Sequence, residues 1–220
     1  MNALIIGGSS GLGLQMAKQL AAGGYAVHVT GRTDPKVKEL TFHQLNLSGA
    51  KMVQDIEKLT QSLPKIDLLV HAAGFYQEGR VTDLSDKQIE DMLNVGGRSL
   101  VYGLRALLKK QADLPELITI TSTSQWTPRQ LEPIYNFVKA GAGHFTNAMA
   151  EDGRIAKVMV AAPAGMNTPF WKYRPDRDTS TMLDPKWVAG QIMQARAQRY
   201  KYKYIRILRE PPRVEEVETR

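Results

Sequence analysis

Tyr135 and Lys139 stand four residues apart in Tyr135-Asn136-Phe137-Val138-Lys139, and Ser122 lies thirteen residues upstream of Tyr135. On a helix that four-residue step puts a phenol and an ammonium on one face, one turn apart. A phenol titrates near 10 in water, so it shuttles protons poorly at neutral pH unless a nearby cation lowers its pKa. Each unit of depression corresponds to about 1.4 kcal/mol of preferential phenolate stabilisation. A hydroxyl, a phenol and a lysine gathered around one point can polarise a carbonyl and hand it a proton. Such chemistry needs a hydride donor.

A site for that donor is readable at the amino end. Gly7-Gly8-Ser9-Ser10-Gly11-Leu12-Gly13 follows the apolar run Asn2–Ile6 and opens a helical pattern. Glycines allow a tight turn and close backbone approach to a pyrophosphate, and a helix N-terminus offers free N–H groups at the positive end of its dipole. The spacing is Gly-x3-Gly-x-Gly, not the Gly-x-Gly-x-x-Gly of the common dinucleotide fingerprint, and a glycine turn alone can be merely structural. Its place at the first strand-to-helix junction favours the nucleotide reading. The second strand ends at Gly31-Arg32, where an acidic residue would bind a ribose 2′-hydroxyl and an arginine a 2′-phosphate. Arg32 reads either as a solvated surface cation or as that bidentate phosphate partner, and its position favours the second.

The elements that must position these groups follow from pattern. Strands are expected near 2–6, 25–30, 41–45, 66–71, 115–121, 155–161 and 203–208. Helices are expected near 11–22, 49–62, 86–111, 134–150 and 185–197. This alternation predicts an α/β fold: a doubly wound Rossmann-type parallel sheet of about seven strands, with helices on both faces. Asp34-Pro35 and Asp184-Pro185 each read as a capping carboxylate before a first-turn proline. Ser85-Asp86-Lys87-Gln88 reads as a capping box. The stretch 165–184, with Pro169 and Pro175, lacks a period and reads as a short substrate lid. Residues 1–220 are expected to form one domain.

Composition narrows the class. The chain of 220 residues is 43% apolar and 23% charged, as soluble globular proteins are. It has no cysteine, so a thiolate nucleophile, a cysteine zinc site and disulfides are excluded. No apolar run approaches a membrane span or a signal segment, which leads us to expect a soluble, cytoplasmic protein. The formal charge of +7 favours anionic ligands. Arg196, Arg199, Lys201, Lys203, Arg206 and Arg209 crowd one basic segment, alternating in part with Tyr200, Tyr202 and Tyr204. A guarded, half-buried edge strand accounts for it better than a nucleic-acid patch.

These segments resemble the short-chain dehydrogenase/reductase family over most of the chain. Gly7, Gly11 and Gly13 match its glycine motif, with Ser9, Ser10 and Leu12 between them. Asn46-Leu47 stands where the family has an acidic residue and an aliphatic one on the adenine side. His71-Ala72-Ala73-Gly74 keeps the Ala-Gly half of its Asn-Asn-Ala-Gly. Asn94, Ser122, Tyr135 and Lys139 match its catalytic set in type and spacing. Pro163-Ala164-Gly165-Met166-Asn167-Thr168 matches its Pro-Gly-x-x-x-Thr segment, with Ala164 in place of the glycine.

The resemblance implies an NADP(H)-dependent oxidoreductase acting on a carbonyl or secondary alcohol, with NAD(H) an admissible cofactor. Tyr135 would be the general acid/base, and Lys139 would hold the nicotinamide ribose and depress the phenol. Ser122 would hydrogen-bond the substrate oxygen, Asn94 would hold a relay water, and Thr168 would meet the carboxamide. It also implies a homodimer or homotetramer paired through the two longest helices. Trp126, Met166, Phe170 and Trp171 are candidate substrate contacts and equally candidate packing residues. His28, His43, His71 and His144 lack metal-ligand spacing, so no metal is expected. A rival reading is a catalytically silent NADP(H)-sensing regulator on the same fold.

Overall fold

In a computed structural model the chain is described for residues 1–171 and 176–220. The strand β1 (Asn2–Ile6) sends Leu4 and Ile6 to one face of the sheet and Ala3 and Ile5 to the other, so both faces must be covered. The helix α1 (Gly11–Ala22) covers the second face with Leu12, Met16 and Leu20. The strands β2 (Ala26–Gly31) and β3 (Leu40–Gln44) follow, then α2 (Met52–Ser62), β4 (Leu68–His71) and α3 (Asp86–Leu93). A π-helical turn at Asn94–Arg98 joins α3 to α4 (Ser99–Lys110). Then come β5 (Leu114–Ile120), α5 (Pro133–Met149), β6 (Ile155–Pro163), α6 (Pro185–Arg196), β7 (Tyr202–Arg209) and β8 (Pro212–Thr219).

Among the described residues the sheet runs β3-β2-β1-β4-β5-β6-β7-β8, parallel throughout except for the final antiparallel pair. The helices α2, α4 and α5 pack one core, and α1 and α6 pack the other. The order reverses between β1 and β4, so the strands' carboxyl ends open a crevice there. No helix among the described residues is long and apolar enough to cross a membrane.

Several local expectations need correction. Among the described residues the sheet has eight strands, because the acidic tail 212–219 pairs with β7. That pairing makes β7 an interior strand: Tyr202, Lys203 and Tyr204 are all buried, and Lys203 meets Gln198 at 2.7 Å and the Glu216 carboxylate. The basic segment is thus partnered rather than left as a guarded edge: Lys203 pairs with Glu216 of β8, Arg196 with Glu116, Lys201 with Glu151 and Arg209 with Glu210. The helix expected over 86–111 is broken by the π-helical turn, where Gly96 and Gly97 weaken the α-helical hydrogen-bond ladder. Asp34-Pro35 starts no helix; Asp34 instead accepts from the Lys36 amide at 2.8 Å in the short β2–β3 connection.

Other signals were read correctly. Ser85 and Gln88 form the capping box, and Asp184 accepts from the Lys186 amide at 2.8 Å. Within 165–184, Met166 bridges Leu183 and Pro169–Trp171 makes a 3-10 turn. Pro175 falls in 172–175, outside the described residues.

Candidate active site

The loop after β1 sits deep in the crevice. Gly7 adopts φ +85°, a left-handed conformation, and a Cβ there would stand 2.6 Å from the Ala73 backbone. A Cβ on Gly13 would stand 2.2 Å from the Gly7 carbonyl oxygen, so the turn and the first helical turn close only on glycine. Ser10 is the N-cap of α1 yet makes no side-chain cap bond, so that N-terminus keeps donors for an anion. These features, with a cleft of about 770 Å³, fit a dinucleotide.

Every cofactor-side residue picked out from the sequence lines this one cleft. Gly7, Ser9, Ser10, Gly11, Leu12 and Gly13 form its floor, with Arg32 and Asn46-Leu47 at one end. Ala72, Ala73 and Gly74 come from the end of β4, and Pro163, Gly165, Met166 and Thr168 from the end of β6. Asn46 also folds its own turn by accepting from the Ser48 amide at 3.1 Å.

Ser122 and Tyr135 meet at the middle of the cleft. Ser122 leaves β5 in extended conformation and caps a 3-10 turn, its Oγ accepting from the Ser124 amide at 3.1 Å. Pro133 in the first turn of α5 fixes the helix start so that Tyr135 and Lys139 share its inner face, while Phe137 points outward, 67% exposed. The Lys139 Nζ donates to the Ile120 carbonyl at 3.0 Å and lies 5.7 Å from the Tyr135 ring centroid.

The electrostatics differ from the expectation that Lys139 depresses the phenol. Burial pushes Tyr135 above its ordinary range and the Glu132 carboxylate adds to this, while a hydrogen bond with Ser122 and the Arg129 charge pull the other way. Burial lowers Lys139 to about 8. A phenol held up in this way keeps its proton at neutral pH and is loaded as an acid.

Two picks sit elsewhere. The Asn94 side chain accepts from Arg98 Nη1 at 2.8 Å on the helix surface and does not line the cleft. Trp126 is also outside the lining; Arg206 stacks on its ring at 4.1 Å and Tyr204 packs edge-on, which makes it a packing residue under β7. Met166, Phe170 and Trp171 do line the cleft.

Sequence reasoning missed the polar cluster beside Ser122. Arg129 donates to Ser124 Oγ at 2.8 Å and to Thr123 Oγ1 at 3.0 Å, and Ser124 donates to Glu132 at 2.9 Å. Tyr76 donates to the other Glu132 oxygen at 3.3 Å. The signal was present, since Glu132 falls one helical turn before Tyr135. His71, at the end of β4, is buried and its Nε2 bonds Ser99 Oγ at 2.7 Å. Burial and the Lys139 charge lower it to about 3, so it stays neutral. No group of side chains among the described residues could hold a metal ion.

Comparison with known proteins agrees with this geometry. A sequence model described as short chain dehydrogenase matches residues 1–179. An uncharacterised oxidoreductase of Escherichia coli, YohF, is 29% identical over 186 residues, covering 76% of this chain and 74% of that protein. The closed form of a serine dehydrogenase complexed with NADP+ superposes with TM-score 0.81 at 23% identity, covering 93% of this chain and 94% of its own. A short-chain dehydrogenase from Sphingobium yanoikuyae in complex with NADPH superposes with TM-score 0.81 at 18% identity, covering 92% and 87%.

Proposed function

The chain belongs to the short-chain dehydrogenase family, and on that premise we propose that it is an NADP(H)-dependent oxidoreductase that reduces a carbonyl group to an alcohol. The observation that carries this reading is the convergence of Ser122, Tyr135 and Lys139 in one cleft with the glycine turn and Arg32. Two similar structures hold NADP+ or NADPH, which supports the choice of nucleotide.

A bound reduced nicotinamide supplies hydride to the carbonyl carbon. The chain's own residues supply the rest. The α1 amides and the glycine floor take the pyrophosphate, Arg32 the 2′-phosphate, and Lys139 the nicotinamide-side ribose. Thr168 and Met166 flank the nicotinamide end. Ser122 donates a hydrogen bond to the substrate oxygen as charge develops on it. Tyr135 gives that oxygen its proton, which the buried phenol holds at neutral pH.

The test is Tyr135→Phe with a turned-over ketone or aldehyde and NADPH. A fall in kcat of about 10²–10⁴-fold with NADPH affinity retained is expected, and wild-type turnover would remove the phenol from the mechanism. The same reading has the chain pairing with itself through α4 and α5, which expose Val101 and Phe137. A monomeric mass by light scattering would discard that assembly.

A further inference from the structure

Beyond Tyr135 the cleft is walled by aromatic rings in mutual contact. Tyr76 stands edge-on to Tyr135 at 5.2 Å and to Trp171 at 5.5 Å, and Phe170 packs on Trp171 at 5.2 Å. Trp171 is fixed by donating from Nε1 to the Met166 carbonyl at 2.9 Å. Among the described residues three arginines besides Arg32 line the cleft, namely Arg129, Arg177 and Arg209. Glu132 pairs with Arg129 at 3.4 Å, and Glu210 pairs with Arg209 at 2.8 Å.

Arg177 is different. Its guanidinium lies 5.1 Å over the Trp171 ring, its Nε is buried without a hydrogen-bond partner, and no carboxylate pairs with it among the described residues. A guanidinium always carries its charge and presents five donors in a planar fork. One at a cleft wall, with its Nε unpartnered and no carboxylate paired to it among the described residues, can take an anion. At the other end, beside Ser122, Arg129 is already paired with Glu132 and bonded to the Thr123 and Ser124 hydroxyls. Between the two lie the rings of Tyr76 and Trp171, which take an apolar body.

We propose that Arg177 anchors a carboxylate of the substrate, which is therefore a carbonyl compound whose carboxylate is held away from the carbonyl by an apolar spacer that packs on the Tyr76 and Trp171 rings. The carbonyl part of this assignment rests on the reductase reading; the anion part does not.

The experiment compares 4-carboxybenzaldehyde with its neutral methyl ester as substrates for NADPH-dependent reduction. The wild type should prefer the acid at least about tenfold in kcat/KM, chiefly through KM, the size of one charge-assisted hydrogen-bonded contact. Arg177→Gln should remove that preference and leave the ester within about twofold, and Arg177→Lys should restore part of it as a point charge without the fork. Equal rates for acid and ester in the wild type, or equal losses on both in Arg177→Gln, overturn the assignment. A loss of NADPH affinity in Arg177→Gln would overturn it too, and would move this arginine to the cofactor.

If neither aldehyde is reduced, the reductase reading fails on these probes, and binding still decides the anion site. In a protein with Trp126 and Trp187 replaced by Phe, Trp171 is the remaining indole. Saturable change of its emission with the acid, about tenfold tighter than with the ester and abolished in Arg177→Gln, supports the site. An unchanged emission with either compound overturns it.

Discussion

The cofactor end of the cleft is walled by backbone, with the Gly7 carbonyl against Gly13, Ala73 against Gly7, and the bare N-terminus of α1. The end beyond Tyr135 is walled by long side chains on irregular segments, namely Tyr76, Phe170, Trp171, Arg129, Glu132 and Arg177. Backbone walls accept no change of side chain but bind whatever presents the right phosphates. Side-chain walls can be exchanged one at a time without disturbing the sheet. A fold that keeps its nucleotide and varies its substrate needs both kinds.

The sharpest way to break this contrast is a single methyl group. Gly13→Ala puts a Cβ 2.2 Å from the Gly7 carbonyl oxygen, which cannot swing away as a side chain would. We expect a stability loss above about 2 kcal/mol, in the range of overpacked cores, and loss of NADPH binding. Thermal unfolding by circular dichroism and a nucleotide fluorescence titration read the two effects. Phe170→Ala, by contrast, should fold normally and bind NADPH. A Gly13→Ala protein as stable as wild type would mean that the cofactor end is no more rigid than the other.

The contrast also explains what could be read from the sequence. The glycine turn, Ala72-Ala73-Gly74 and Thr168 declare themselves because strands of period two end in small residues at fixed offsets, and nothing but topology is needed to gather them. The four-residue step from Tyr135 to Lys139 is local to one helix. Strand β8 is hidden in the sequence because its face alternation is masked by charge: Arg213, Glu215, Glu216 and Glu218 carry no apolar period, and only the pairing with β7, where Glu215 stands opposite Arg206 and Glu216 meets Lys203, makes them a strand. Trp126 stays open between substrate contact and packing in the sequence because side-chain type does not tell which way a residue after a strand turns. Arg177 lies in a stretch with no period, so only coordinates place it against Trp171.

A smaller expected effect sharpens the cofactor end itself. Arg32→Ala should weaken NADPH binding about ten- to a hundredfold, the value of a charged hydrogen-bonded contact, and leave NADH within about twofold. Equal losses for the two nucleotides, measured by the same fluorescence titration, would return Arg32 to the solvated surface and leave the phosphate unassigned.

The smallest effect belongs to Glu132, and its sign follows from the charges around the phenol. Burial and the Glu132 carboxylate hold Tyr135 above its ordinary pKa, while Ser122 and Arg129 act against them. Glu132→Gln removes one upward push and keeps a polar group near Ser124 Oγ. The phenol then loses its proton at lower pH than in the wild type, so reduction, which uses the protonated form, should begin to fall earlier as pH rises. Oxidation of the product alcohol, which uses the phenolate, should become faster at a given alkaline pH. At pH 6 to 7 the phenol is protonated in both proteins, and kcat for reduction should differ by less than about tenfold, since a proton donor already loaded gains little from a further shift. Profiles of kcat/KM against pH in both directions measure this. A basic limb that stays in place in Glu132→Gln would show that burial alone sets the phenol, and that the polar cluster serves only to hold the Ser122 loop against α5.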